Sequence, residues 1–193
     1  MLSGMLVRKP IRLDDVSDLV REQLFDVDLE GNDLNIWLYQ TARTVISFGH
    51  VGVLVDAPKE GEKARPYWVT YKPEDILGWR TEVIEGAREL TQVRLLERVI
   101  EADGKYGEKT ITQIRVLERG RYEIHRKDDK RGEYKLFDEG EMSLKDKIPF
   151  AVAYSNRVGY FESRSPLYDI AELNLKHYQI QSDLDNILHI SSV

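Results

Sequence analysis

Between Gly78 and Arg126 the chain alternates with a period of two, Val93, Leu95, Glu97 and Val99 standing against Arg94, Leu96, Arg98 and Ile100. Successive side chains of a strand point to opposite faces, so this alternation predicts β-structure. Short turn signals punctuate it at Asp103-Gly104-Lys105-Tyr106-Gly107, Arg119-Gly120-Arg121 and Asp128-Asp129-Lys130-Arg131-Gly132. Runs such as Thr110 to Leu117 and Tyr122 to His125 fit between the turns as strands. Connections this short join antiparallel neighbours, and the expected middle of the chain is a meander of local hairpins.

The flanks read differently. From Asp14 to Phe25 the residues Val16, Leu19, Val20 and Leu24 recur at helical spacing, with Asp14 or Asp15 placed to cap the first N–H groups. Leu34, Trp37, Leu38, Thr41, Val45 and Phe48 form the stripe of a second helix that ends at Gly49. Val51-Gly52-Val53-Leu54-Val55 is apolar and rich in β-branched residues, which predicts a central strand buried on both faces. A charged loop from Lys59 to Arg65 precedes a second extended run, Tyr67 to Tyr71, and Lys72-Pro73-Glu74-Asp75 starts a turn or a single helical turn.

After Pro149, Phe150 to Tyr154 reads as a short strand and Ser155 to Gly159 as a loop. Ser165 can cap a long helix with Pro166 at its first position, in which Ile170, Leu173, His177, Ile180, Leu184 and Ile187 recur at alternating steps of three and four. The last residues, Leu188 to Val193, carry no capping glycine, proline or charged tail and read as a helix cut short. The fold expected is α+β in one domain spanning 1–193. Helices and a buried strand occupy 1–58, a β-rich part 66–154, and the long helix 160–193.

At 193 residues the chain can bury a self-sufficient core, and its lack of cysteine excludes disulfides, thiol catalysis and cysteine-bound zinc. A formal charge of −6 makes the average surface repel nucleic acid. The start, Met1 to Pro10, is too short for a membrane span and lacks a cleavage site, so it reads as mature chain of a cytosolic protein with no membrane partner.

The chemical candidates are few. His50, His125, His177 and His189 fall outside the HExxH spacing of zinc hydrolases, and no cofactor is indicated. His177 shares a helix face with Asn174, Gln181 and Asp185, a polar line that could bind an ion or a substrate but better suits a contact with a neighbouring helix or subunit. Asp169, Asp183 and Asp185 suggest a metal-dependent nuclease, but residues two apart on a helix point in different directions. Gly49-His50-Val51-Gly52 precedes its strand and lacks the phosphate-cradling spacing of nucleotide loops. Arg115, Arg119, Arg121, Arg126, Lys127, Lys130 and Arg131, with Tyr122 and Tyr134 among them, could form a DNA groove, of which Arg121, Arg126, Lys127, Lys130 and Arg131 are the candidate contacts. Glu118, Glu123, Asp128, Asp129 and Glu133 lie equally densely there and favour a salt-rich hairpin surface.

Three stretches together carry a resemblance: Gly4 to Pro10 with its Arg8-Lys9-Pro10; Phe48 to Asp56; and Ile148-Pro149-Phe150 through Ser155-Asn156 into Pro166 to Tyr178. In this order and spacing the chain resembles the portal (head-to-tail connector) proteins of tailed bacteriophages and prophages. The resemblance implies a wing-like region of a ring of about twelve subunits at a capsid vertex. Such a ring conducts DNA during packaging and ejection and docks terminase, capsid and tail adaptor proteins. It further implies a passive structural role with no catalytic residue, in the virion or the host cytoplasm, the final helix leading toward the stem. The alternatives are a small nucleic-acid-binding module using the basic hairpins and, behind it, a metal-dependent nuclease.

Overall fold

The computed structural model describes residue 9 and residues 11–57, 65–127 and 132–191. The fold is α+β: a three-stranded and a five-stranded antiparallel sheet packed together, with a two-stranded pair beside them, two helices preceding the strands in the chain and a long helix following them. Helix α1 (Asp18–Gln23) and helix α2 (Leu34–Phe48) lead into strand β1 (His50–Asp56). β1 is the middle strand of the first sheet, between β2 (Tyr67–Tyr71) and β8 (Phe150–Tyr154). Leu54 faces Val69 on one side and Phe150 on the other.

A single 3₁₀ turn at Pro73–Asp75 carries the chain from β2 into the second sheet. That sheet is the meander β3 (Ile76–Ile84), β4 (Ala87–Asp103), β5 (Gly107–Glu118), β6 (Arg121–Lys127) and β7 (Tyr134–Glu141), each strand paired with the next. Glu85 and Gly86 both take positive φ at the β3–β4 turn, the conformation a tight two-residue hairpin needs. β4 pairs with β3 only as far as Leu95, and β5 pairs with β6 only from Gln113 onward. Beyond those points β4 and β5 continue as a two-stranded ribbon to Asp103 and Gly107. There alternation no longer means burial, and Ile100 is exposed.

The core joins the sheets. Leu54 and Tyr71 of the first meet Ile76, Val93, Leu95 and Leu117 of the second, with Ile148 and Phe161 closing the cluster. Val93 and Leu95 are 0% exposed, so the period-two face read from the sequence is the one that packs inward. Trp37 of α2 meets Trp68 of β2 edge-on at 4.7 Å, seating that helix on the first sheet.

Several local expectations need correction. The first helix does not run from Asp14 to Phe25: Asp15 takes a positive φ, Ser17 caps instead, and only Asp18–Gln23 is helical. Phe25 is exposed. In α2, Asp33 caps the Ile36 N–H at 2.8 Å, and the buried residues are Trp37, Thr41 and Ile46; Phe48, expected in the buried stripe, is exposed. β1 is buried on both faces only at its start, because Val55 faces outward. β7 lies within the expected β-rich part, in a stretch where no individual strand is read from the sequence. Arg157–Gly159, expected as loop, forms strand β9 against β10 (Glu162–Ser163). The final helix, α3, spans Tyr168–Ser191 and starts two residues beyond Pro166.

Candidate functional site: an exposed helix and its anchor

The 24-residue α3 has no buried residue. At about 1.5 Å per residue it is on the order of 36 Å long. Helices in folded proteins draw most of their stability from packing an apolar face, yet Ile170, Leu173, Ile180, Leu184 and Ile187 all stand in solvent here. His177 completes their three-four spacing, so it lies in the apolar seam, with Asn174, Gln181 and Asp185 along one flank. Within that polar line the Gln181 amide donates to Asp185 at 3.1 Å, and all four residues are exposed.

The lead-in to this helix is fixed, in contrast to its face. Ser165 donates its hydroxyl to the Ile46 carbonyl at 2.7 Å and accepts from the Leu167 N–H at 3.1 Å, tying the turn before α3 to the end of α2. His50 Nδ1 and Ser163 Oγ share a hydrogen bond at 2.7 Å. The Gly49 carbonyl accepts from both the backbone N–H and the hydroxyl of Ser155, each at 2.9 Å. Gly49 sits at the centre with φ +95, and a Cβ there would fall 2.5 Å from Ser163 Oγ and 3.1 Å from the Ser165 nitrogen. Burial pushes the His50 imidazole below its ordinary range, which favours the neutral ring. Through these groups the Phe48 to Asp56 and Ser155 to Pro166 stretches, distant in sequence, meet in space. The spacing of Gly49 and His50 was legible, but their pairing with Ser163 and Ser165, more than a hundred residues away, was not.

The basic hairpin residues are drawn into the sheet. Arg126 donates to Gln113 at 3.1 Å, pairs with Glu101 at 2.7 Å and lies 3.5 Å over the Phe137 ring. Arg121 pairs with Glu123 and Glu139, and Arg119 with Glu89 at 2.6 Å. Lys127 is exposed at the end of β6, while Lys130 and Arg131 lie outside the described residues. A groove for a phosphate backbone needs cations with few acidic neighbours, and Arg121 and Arg126 are not placed that way.

Arg115 is the clearest case. Its Nη1 meets Asp56 at 2.6 Å across the two sheets, and its Nε lies 2.8 Å from Glu97 in an ion-pair contact without hydrogen-bond alignment. Glu97 also accepts from Tyr71 at 2.6 Å and from Gln113 at 2.7 Å. Burial works to lower the Arg115 pKa, but the charges of Glu97 and Asp56 outweigh it and the guanidinium is held charged. Burial and the Glu97 charge push the Tyr71 phenol up. Asp56 and Arg115 of this network line a cleft of about 640 Å³, walled also by Pro66, Tyr67, Tyr122, Met142 and Leu144. Within the cleft the Asp56 carboxylate is engaged by Arg115 and by the Tyr67 hydroxyl, which donates to it at 3.2 Å.

Of the carboxylates considered for a nuclease, Asp169 pairs with Arg164 and Asp185 accepts from Gln181. Among the described residues no three histidines or carboxylates gather as metal ligands would. No helix among them is long and apolar enough to cross a membrane.

Residues 166–193 match a family model described as a domain of unknown function (DUF4055). Among curated proteins none matches the chain. The match falls on the turn anchored by Ser165 and on α3.

Proposed function

We propose that this chain is a structural subunit of a portal-type ring, forming part of its wing and contributing α3 as the helix that meets the rest of the assembly. In this reading the ring stands at a capsid vertex, works as a conduit for phage DNA, and meets terminase, capsid and tail adaptor proteins; before assembly the subunit resides in the host cytoplasm. The observation that carries it is the pairing of a rigidly anchored lead-in with a helix whose apolar stripe is wholly exposed. A catalytic centre would gather reactive groups in a cleft, whereas here Arg115 is held by Asp56 and Glu97 and the exposed seam of α3 is apolar. Asn174, His177, Gln181 and Asp185 are the polar members of that contact surface.

Negative-stain imaging of the concentrated chain tests the proposal. Closed rings with rotational symmetry of about twelve are the expected result. Particles that remain small and without rotational symmetry at every concentration would sink it.

A further inference from the structure

We infer that the free chain pairs with a second copy of itself through α3, as a two-fold antiparallel helix pair in one defined register. This goes beyond the ring: neighbours related by a ring axis set their copies of a helix side by side in the same direction. The antiparallel pair is therefore a separate state, one that covers the seam before assembly.

The seam Ile170, Leu173, His177, Ile180, Leu184 and Ile187 advances by alternating steps of three and four, the repeat that packs against another α-helix in a left-handed pair. Its five aliphatic members are 46–69% exposed in the single chain. The charges beside the seam select the partner and its direction. Antiparallel pairing that sets Ile170 against Ile187, Leu173 against Leu184 and His177 against Ile180 of the second copy brings each Lys176 beside the other copy's Asp183. It also brings each Asn174 amide beside the other copy's Gln181. Both contacts occur twice by symmetry, which is how a self-complementary surface is recognised.

The neighbouring registers are worse. A slip of one heptad in one direction faces Asp183 with Asp183; a slip in the other faces Lys176 with Lys176 and Asp169 with Asp183. Parallel in-register pairing sets Lys176 against Gln181 and Asp169 against Asn174, and stacks His177 on His177. No opposite charges meet there. The two central layers of the antiparallel pair each place one imidazole against Ile180, a polar intrusion that fixes register at some loss of stability.

The absence of cysteine makes the test clean. Chains carrying Ile170→Cys and Ile187→Cys, mixed and oxidised, should form a mixed disulfide, while either alone should not cross-link. In the antiparallel pair the two copies of position 170 are about 25 Å apart. Light scattering at tens of micromolar should give the mass of two chains. Lys176→Asp or Asp183→Lys alone should raise the dissociation constant about tenfold, and the double exchange should restore it. Rescue separates a charge contact from a general loss of helix. A single-chain mass, homodisulfides from each variant alone, or charge exchanges without effect would each overturn the pairing. None of these bears on whether rings form in concentrated material, so the two readings fail independently.

Discussion

The two-sheet body and α3 treat their side chains in opposite ways. At the centre of the body apolar residues are closed away and charges are paired: Val93 and Leu95 are fully buried, and Arg115 is held between Asp56 and Glu97. In α3 an apolar repeat is left in solvent beside polar residues that bond locally, as Gln181 does to Asp185. The body has a buried core of its own, and α3 has no buried residue. Stability should therefore reside in the body and assembly in the helix.

The sharpest way to break that contrast is the same substitution made in each region. Leu95→Ala should cost about 4 kcal/mol in denaturant unfolding, because it opens a cavity in a closed core. Leu184→Ala should shift monomer stability by less than about 0.5 kcal/mol. Comparable losses at the two sites would show that α3 is packed into the body after all. Next in size is Arg115→Met, which leaves Glu97 and Asp56 without their cation and should cost about 3 kcal/mol by chemical denaturation. A loss under about 1 kcal/mol would mean that the inter-sheet network is solvated.

Gly49→Ala addresses the joint between the regions. A side chain at φ +95, crowded by Ser163 and the backbone before α3, should cost about 2 kcal/mol. It should also speed hydrogen exchange in residues 163–171 more than in the meander. The smallest effect belongs to His50. Because burial depresses its folded pKa, the unfolded chain takes up a proton first as the pH drops below the ordinary value of 6.5. Stability is then full above that value and declines below it. His50→Gln should flatten the decline, and an unchanged pH profile would place its origin elsewhere.

The meander was readable because its hairpins are local, so period and turn residues suffice to describe it. The central place of β1 followed from its β-branched run. What escaped notice depends on distant partners. β7 falls within the expected β-rich part, but Asp138, Glu139 and Glu141 break its apolar pattern, and only the pairing with β6 and the Arg121–Glu139 contact define it as a strand. The first helix was overextended because apolar spacing carries no sign that Asp15 will adopt a positive φ. The basic hairpin looked like a surface feature, and only the fold reveals that Arg126 reaches Gln113, Glu101 and Phe137. The polar line on α3 was legible residue by residue. Its exposure was not, since the stripe alone would equally suit a helix buried in its own domain.

The most direct measurement is solution mass by light scattering across a wide concentration range, for the chain and for an Ile180→Asp, Leu184→Asp variant, with circular dichroism confirming the same fold. Expected is a wild-type mass that rises above a single chain with concentration, and a variant that stays monomeric with its sheet signal intact. A wild-type chain that stays monomeric throughout, or a variant that assembles equally well, would contradict the assignment of assembly to α3.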